Sequence, residues 1–281
     1  VRRVWLPRAP RRGPSAKIEA ASMASVHLSA VRRAIDHCYQ DLPPARAYAL
    51  SADGTAQRGQ EKQTVDVDLT YGDVRPEALE RALAAAGPME CGTFFDLGSG
   101  AGRGVITAAL CCGLSRAVGV ELLEPLHAAA VAGPLQRYTT LREQVEARVE
   151  LLDATLAGLD PSRLSAGVEL RCGDLFAADV SSADVVFCCC VTWSVSIMQR
   201  LAAKLAAELA SGARVITVGQ RLPEVVDLGE GGAVQFEPVW REWEQCDWGS
   251  EAFVVHRTTR MGELAARRHR KKAAGHRTNR R

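Results

Sequence analysis

The sequence has no apolar run of about 20 residues, the length that a helix needs to cross a bilayer, so a soluble chain is expected. Cysteines paired at CxxC-like spacing are also missing, which removes the usual structural zinc site. There is no internal repeat. The first eighteen residues contain no acid at all. Cysteine itself is not scarce. The nine cysteines are Cys38, Cys91, Cys111, Cys112, Cys172, Cys188, Cys189, Cys190 and Cys246. Their number is odd and several lie in apolar runs, which predicts free thiols in a reducing compartment.

A length of 281 residues with 47% hydrophobic content suits one sizeable α/β domain with short extras. The net charge of +2 is unevenly spread. Arg2, Arg3, Arg8, Arg11, Arg12 and Lys17 put six positive charges in residues 1–18. Residues 260–281 carry nine cations, among them Arg267, Arg268, Arg270, Lys271 and Lys272, against Glu263. Ends of +6 and +8 in a chain of total +2 leave −12 between them. Basic ends of this kind read as a nuclear address, a solvated tail or a nucleic-acid contact. The first residue is Val, and Met23 is a candidate initiator. Residues 1–21 would then be upstream sequence or a processed leader. An Arg-rich, acid-poor start also resembles an organelle transit peptide.

Along the chain, residues 24–39 have helical spacing through Val26, Leu28, Val31, Ile35 and Cys38. Residues 51–63 are polar and predict a loop or linker. A helix is expected from Pro76 to Ala86, stopped by Gly87-Pro88. Strands and helices then alternate. The predicted strands are Thr93 to Leu97, Ala117 to Val120, Gly167 to Cys172, Val185 to Val191 and Ala213 to Val218. Helices are expected at Gly104 to Cys112, between Pro125 and Leu159, and at Val195 to Leu209. The run Val185 to Val191 is continuously apolar, as in a strand buried on both faces. From Val234 to Arg257 no helix intervenes, which suggests an antiparallel pair turning at Trp248-Gly249. The alternation predicts an α/β fold: a doubly wound, mostly parallel seven-stranded sheet with one reversed strand in a terminal hairpin.

The strongest motif is Phe95-Asp96-Leu97-Gly98-Ser99-Gly100-Ala101-Gly102-Arg103, at a strand-to-helix turn. Glycines there permit a tight turn and close approach to a ligand. A dinucleotide site wants a small residue in the last position, which Arg103 occupies. A phosphate loop wants Gly-Lys-Ser/Thr, which is absent. Asp-x-Gly-x-Gly-x-Gly suits S-adenosyl-L-methionine (SAM), a ligand with an ammonium, a carboxylate and a sulfonium but no phosphate. Asp96 can meet its cationic part. Glu121 ends the second strand and can accept from both ribose hydroxyls. Asp174 ends the third strand and can accept from the adenine amino group. Three acids at successive strand ends match a ligand crevice.

Upstream stands Leu69-Thr70-Tyr71-Gly72-Asp73-Val74. A Thr-Tyr-Gly-acid segment, then a helix, then Asp-Leu-Gly-Ser-Gly-x-Gly resembles the non-SET histone-lysine methyltransferases of the disruptor-of-telomeric-silencing (DOT) type. The resemblance runs from about Val65 to Arg257. It implies a Rossmann-like class I SAM-dependent methyltransferase. It makes Tyr71, Gly72, Asp73 and Val74 a loop folding over SAM. The implied cofactor site also takes Asp96, Gly98, Ser99, Gly100, Gly102, Arg103, Glu121, Asp174, Leu175 and Cys190. Arg103 stands where the family often has glutamine. After the fourth strand, better-known members have Asn-Asn-Phe. This chain has Cys189-Cys190-Val191, then Thr192-Trp193-Ser194, so the amides that help shape the acceptor site are missing. Divergent protist members also replace them, with Ser/Thr-rich segments, and carry a late Ser-Trp-Gly like Asp247-Trp248-Gly249.

Methyl transfer from a sulfonium needs alignment and a neutral nucleophile. Tyr71, Thr192 and Trp193 are the side chains expected at the acceptor channel. His127 and His256 are expected on the surface or in the sheet. The leading expectation is methylation of a lysine in a protein substrate such as a core histone or nucleosome. A small-molecule or RNA methyltransferase is the alternative, although the Asn/Asp-Pro-Pro-aromatic segment of base-amine enzymes is absent. A non-catalytic SAM- or nucleic-acid-binding module is a third. The implied organisation is a basic leader (1–22), a helical segment with the SAM-covering loop (23–90), the methyltransferase domain (91–259) and a basic tail (260–281). No membrane partner is expected, and the compartment is nuclear or cytoplasmic, with an organelle address as the alternative.

Overall fold

The structure, a computed structural model, describes residues 29–61, 69–147, 159 and 161–262. Both basic ends and residues 148–158 of the expected helical stretch therefore lie outside the described residues, apart from Arg260, Met261 and Gly262. Three helices precede the sheet: α1 (residues 29–38), α2 (Pro44–Glu61) and α3 (Pro76–Ala86). Then follow β1 (Thr93–Leu97), α4 (Arg103–Cys111), β2 (Arg116–Glu121), α5 (Glu124–Ala130), α6 (Gln136–Glu146), β3 (Gly167–Cys172), β4 (Val185–Cys189), α7 (Val195–Glu208) and β5 (Arg214–Val218). The described residues close with β6 (Val225–Asp227), β7 (Ala233–Cys246) and β8 (Gly249–Met261).

The strands form one sheet in the order β3-β2-β1-β4-β5-β8-β7-β6. β1 to β5 are parallel, β8 runs antiparallel to β5, and β7 and β6 follow antiparallel in turn. This is the class I methyltransferase arrangement. The sequence predicts seven strands, and the sheet has an eighth, the three-residue β6, which pairs only with Ala233 to Gln235. Three residues leave no period to read.

Strand alternation sorts the core into two layers. Phe94, Val185 and Phe187 pack toward α1, α3 and α4. Phe95, Leu97, Val186, Cys188 and Cys190 pack toward α7. β1, β2, β4 and β5 are buried on both faces, whereas the edge strand β3 is half-exposed and alternates Val168 and Leu170 with Glu169 and Arg171. Gly133-Pro134 does not end the helical stretch after Pro125. A π-helical turn at Val131–Leu135 absorbs the proline and joins α5 to α6.

Residues 51–61 correct the sequence reading, because the expected loop is the second half of α2. The apolar stripe is weak, and tertiary contacts hold the helix instead. Ser51 is buried and its Oγ donates to the Leu69 carbonyl at 3.3 Å. At Gly54 a Cβ would stand 3.1 Å from Leu123 Cβ, so the missing side chain lets α2 lie directly on the start of α5.

His256 sits in β8, 1% exposed, with Nε2 3.3 Å from Thr217 Oγ1. Burial pulls its pKa from 6.5 down to about 4. The folded chain therefore holds a neutral ring, while the unfolded chain protonates below the ordinary value. Stability from this group is full above pH 6.5 and falls as pH drops toward about 4, by on the order of 3 kcal/mol. Urea unfolding at about pH 7.5 and about pH 5 should show this loss, and His256→Gln should flatten it. Equal pH slopes for the two proteins would refute the assignment.

Candidate functional site

Because β1 to β4 are parallel, their C-terminal ends meet on one edge of the sheet, where an α/β fold binds its ligand. A cavity of about 280 Å³ opens there. Asp96, at the end of β1, is buried. The chain turns sharply beyond it, with Gly98, Gly100 and Gly102 at φ of 84°, 55° and 78°. Such angles strain any residue with a side chain. Gly104 is needed for a different reason: a Cβ there would stand 2.5 Å from Asp96 Oδ2.

Asp96 Oδ1 is buried without a hydrogen-bond partner. Burial, reinforced by the Glu121 and Asp73 carboxylates, pushes its carboxyl well above the usual range. An orphaned acid in this setting calls for a cationic partner. Glu121, 8% exposed, ends β2. Its Oε2 accepts from the Gly100 N–H at 2.7 Å and its Oε1 from the Leu123 N–H at 2.8 Å. Each oxygen keeps a second lone pair. A vicinal diol is the natural ligand for two such oxygens held in place from behind. Asp174 stands exposed at the mouth, its Oδ1 accepting from the Phe176 N–H at 2.9 Å. Beside it, the Arg200 guanidinium lies 3.8 Å from the centre of the Phe176 ring. The donor set fits SAM. Asp96 would meet its positive charge, Glu121 its ribose and the 174–176 turn its adenine.

Residues 69–74 cover this cavity. The Tyr71 ring lies against Gly100, where a Cβ would come within 2.5 Å of it. Tyr71 also meets Tyr48 of α2 edge-on, 5.2 Å between centroids, and donates its hydroxyl to Asp73 Oδ1 at 2.6 Å. Asp73 Oδ2 accepts from Arg103 Nε at 2.9 Å, and the two side chains are only 7% and 14% exposed. The Arg103 guanidinium rests 4.2 Å above the Tyr39 ring, and the Tyr39 hydroxyl donates to the Ala101 carbonyl at 2.9 Å. Gly72 packs under Trp248 from the β7–β8 turn, so closely that a Cβ would stand 2.6 Å from the indole. Val74 bridges Cys246, and the Asp247 N–H donates to the Asp73 carbonyl at 3.3 Å. The segment is thus clamped by α2, by the glycine turn and by the hairpin tip.

Of the residues expected at the site, Tyr71, Gly72, Asp73, Val74, Asp96, Gly98, Ser99, Gly100, Glu121, Asp174, Leu175 and Trp193 line the cavity together. Gly102, Arg103, Cys190 and Thr192 stand off its wall. Gly102 packs against Leu170, Arg103 holds Asp73, and Cys190 belongs to the core on the α7 side. Sequence reasoning missed Ser51, Arg58, Phe187, Cys189, Ile197 and Arg200 on the wall. The two β4 residues had a signal. Phe187 pairs in register with Asp96, and a period of two then brings Cys189 to the cavity and turns Cys188 and Cys190 away. The α2 residues had none, because that segment reads as a loop.

When bound, SAM supplies a methyl group on a positively charged sulfur. This chain's own residues supply placement and a dry surrounding. Among the described residues, no histidine lines the cavity. Burial, with the Asp73 carboxylate adding to it, keeps the Tyr71 phenol protonated. Burial likewise holds the Cys189 thiol well above its usual range. The wall beside β4 therefore offers neutral groups and no strong base. All nine cysteines are free thiols.

A family model described as "Histone methylation protein DOT1" matches residues 59–229, more than half of the chain. Among solved structures, the chain is similar to an RNA methyltransferase from Salinibacter ruber in complex with S-adenosyl-L-homocysteine (26% identity, 68% of this chain and 97% of that one, TM-score 0.44). It is also similar to the rRNA methyltransferase AviRa from Streptomyces viridochromogenes (19% identity, 66% and 86%, TM-score 0.42). A third is phosphoethanolamine N-methyltransferase 2 of Haemonchus contortus with SAM (23% identity, 50% and 27%, TM-score 0.34). No curated protein matches the chain. With the strand order, the glycine turn, the three acids and the clamped segment in place, the chain belongs to the DOT1 family of histone methylation proteins and is a SAM-dependent methyltransferase.

Proposed function

We propose that this methyltransferase acts on a lysine side chain of a protein, with a core histone or nucleosome as the substrate, and that it works in the nucleus. One observation carries the reading beyond family membership. The cavity wall beside β4 is formed by Phe187, Cys189, Trp193 and Ile197, and Tyr71 of the covering segment lines the same cavity. A lysine ammonium entering such a wall is desolvated, which favours the neutral amine that methyl transfer needs. No side chain is then required as a strong base. Tritiated methyl transfer from SAM to recombinant nucleosomes, free core histones and total RNA tests the assignment. Label on a histone lysine is the expected result. Label confined to RNA would replace this reading with RNA methylation, and label in neither would leave the acceptor among other proteins or small molecules.

The basic C-terminal run is proposed to dock the acidic partner. An acidic body repels a nucleosome or an RNA, so a cationic element must offset it. Each phosphate neutralised releases a counterion, so binding should weaken steeply with salt. Removing residues 264–281 should weaken nucleosome binding at low salt and leave SAM titrations unchanged. Unaltered nucleosome affinity in the truncated chain would reduce the run to an address or a solvated end. Among the described residues, no helix is long and apolar enough to cross a membrane.

A further inference from the structure

The turn that follows β4 is held from the neighbouring strand. The Cys190 N–H and thiol both donate to the Val218 carbonyl at the end of β5, each at 3.1 Å. Gly219, at φ 83°, then passes so close that a Cβ would stand 2.7 Å from Val191 Cα. One residue further, Gln220 reaches back across the gap. Its Nε2 donates to the Cys190 carbonyl at 2.8 Å and to the Trp193 carbonyl at 2.5 Å. A primary amide has two N–H donors, and both are used here. Within the turn, the Trp193 N–H donates to the Cys190 carbonyl at 3.3 Å. Beyond it, Ser194 caps α7 by accepting from the Ile197 N–H at 3.3 Å. The Trp193 ring lines the cavity, its Cζ2 3.6 Å from the place of a Cβ on Gly98. Gln220 itself is not on the cavity wall.

We propose that Gln220 is a positioning residue for methyl transfer: from the end of β5 it pins the Cys190–Trp193 turn by two main-chain carbonyls and so holds the Trp193 ring over the glycine turn. The Cys190 carbonyl, which accepts from both Gln220 and the Trp193 N–H, has its two lone pairs filled. Nothing in the sequence singles out Gln220, because it lies 27 positions from the residue whose carbonyl it fixes.

The test uses the full chain and two variants, Gln220→Ala and Gln220→Glu. The second keeps the shape and sets a carboxylate against two carbonyl oxygens, which must part. Three quantities are measured: S-adenosyl-L-homocysteine affinity by calorimetry, the Trp193 fluorescence response to that ligand, and methylation of recombinant nucleosomes. The Trp193 response is taken as the difference from a matched Trp193→Phe protein. Both variants should keep the ligand affinity and lose most of the Trp193 response. On nucleosomes, kcat should fall about 10-fold to 100-fold while KM stays nearly constant, as expected when alignment is lost but binding is not. A Trp193 response and kcat equal to those of the unaltered chain would overturn the proposal. So would loss of folding and of ligand binding in both variants, since Gln220 would then serve only the fold. The kinetic arm rests on the nucleosome reading. If the unaltered chain does not methylate nucleosomes, that reading fails and the fluorescence arm still decides the role of Gln220.

Discussion

Replacing Glu121 with alanine is expected to weaken SAM binding about a hundredfold or more, close to 3 kcal/mol, the worth of two hydrogen bonds from ribose hydroxyls to a charged acceptor. The same change strikes the apo protein. The Gly100 and Leu123 N–H groups both donate to this carboxylate, and both would lose their acceptor. Each buried donor left unsatisfied costs about 1–3 kcal/mol. The variant should therefore melt at a lower temperature even without ligand. Glu121→Gln keeps the volume and one acceptor oxygen, but its NH2 faces one of those two N–H groups, so an intermediate affinity is expected. Calorimetric titration with SAM checks both variants. Unchanged affinity in the alanine variant would rule out the ribose role.

Loss of Arg103 should open the covering segment. Asp73 is 7% exposed and Arg103 is its cationic partner within the clamp. Removing one member of a buried pair commonly costs about 3–5 kcal/mol, because the other charge is stranded. Asp73 lies on a short segment that can move, so the strain should be relieved by release of residues 69–74. In Arg103→Ala, hydrogen exchange across that segment should accelerate, and adding SAM should no longer slow it as in the parent chain. Adding Asp73→Asn to Arg103→Ala removes the stranded charge and should restore part of the protection. Identical exchange in Arg103→Ala and the parent chain would show that Trp248 and Tyr48 hold the segment without the ion pair.

These two residues also show what the sequence displays and what it hides. Glu121 is legible because it ends a short apolar strand, and a parallel sheet brings such ends to one edge. Asp96 and Asp174 follow from the same rule. The hairpin of β7 and β8 is legible from the missing helix and the Trp-Gly turn. Arg103 stands in the glycine motif and reads as a cofactor contact, yet it faces Asp73 and Tyr39. Its partners are 30 and 64 residues away, and no local pattern announces them. The second half of α2 fails for a related reason. Its polar residues and Gly54 signal a loop locally, and the surfaces that make it a helix come from the start of α5 and from Leu69. Cys189 and Cys190 differ only in parity, and the register of β4 against β1 decides which thiol meets the cavity.

The place of β8 in the sheet sets a timetable for the newborn chain. Among the described residues β8 is the last strand in sequence, yet it lies between β5 and β7. As the polypeptide leaves the ribosome, β6 and β7 emerge with no neighbour in the parallel block to receive them. The β5 edge stays open until residues 253–257 arrive to pair with it. An open edge with a waiting hairpin arm favours mispairing. Trp248 enters only at that stage, so residues 69–74, already held by Tyr48, Gly100 and Arg103, gain the hairpin part of their clamp only then. A chain stalled before the hairpin would carry the glycine turn, all three acids and the covering segment, and still lack the hairpin tip that holds this segment down.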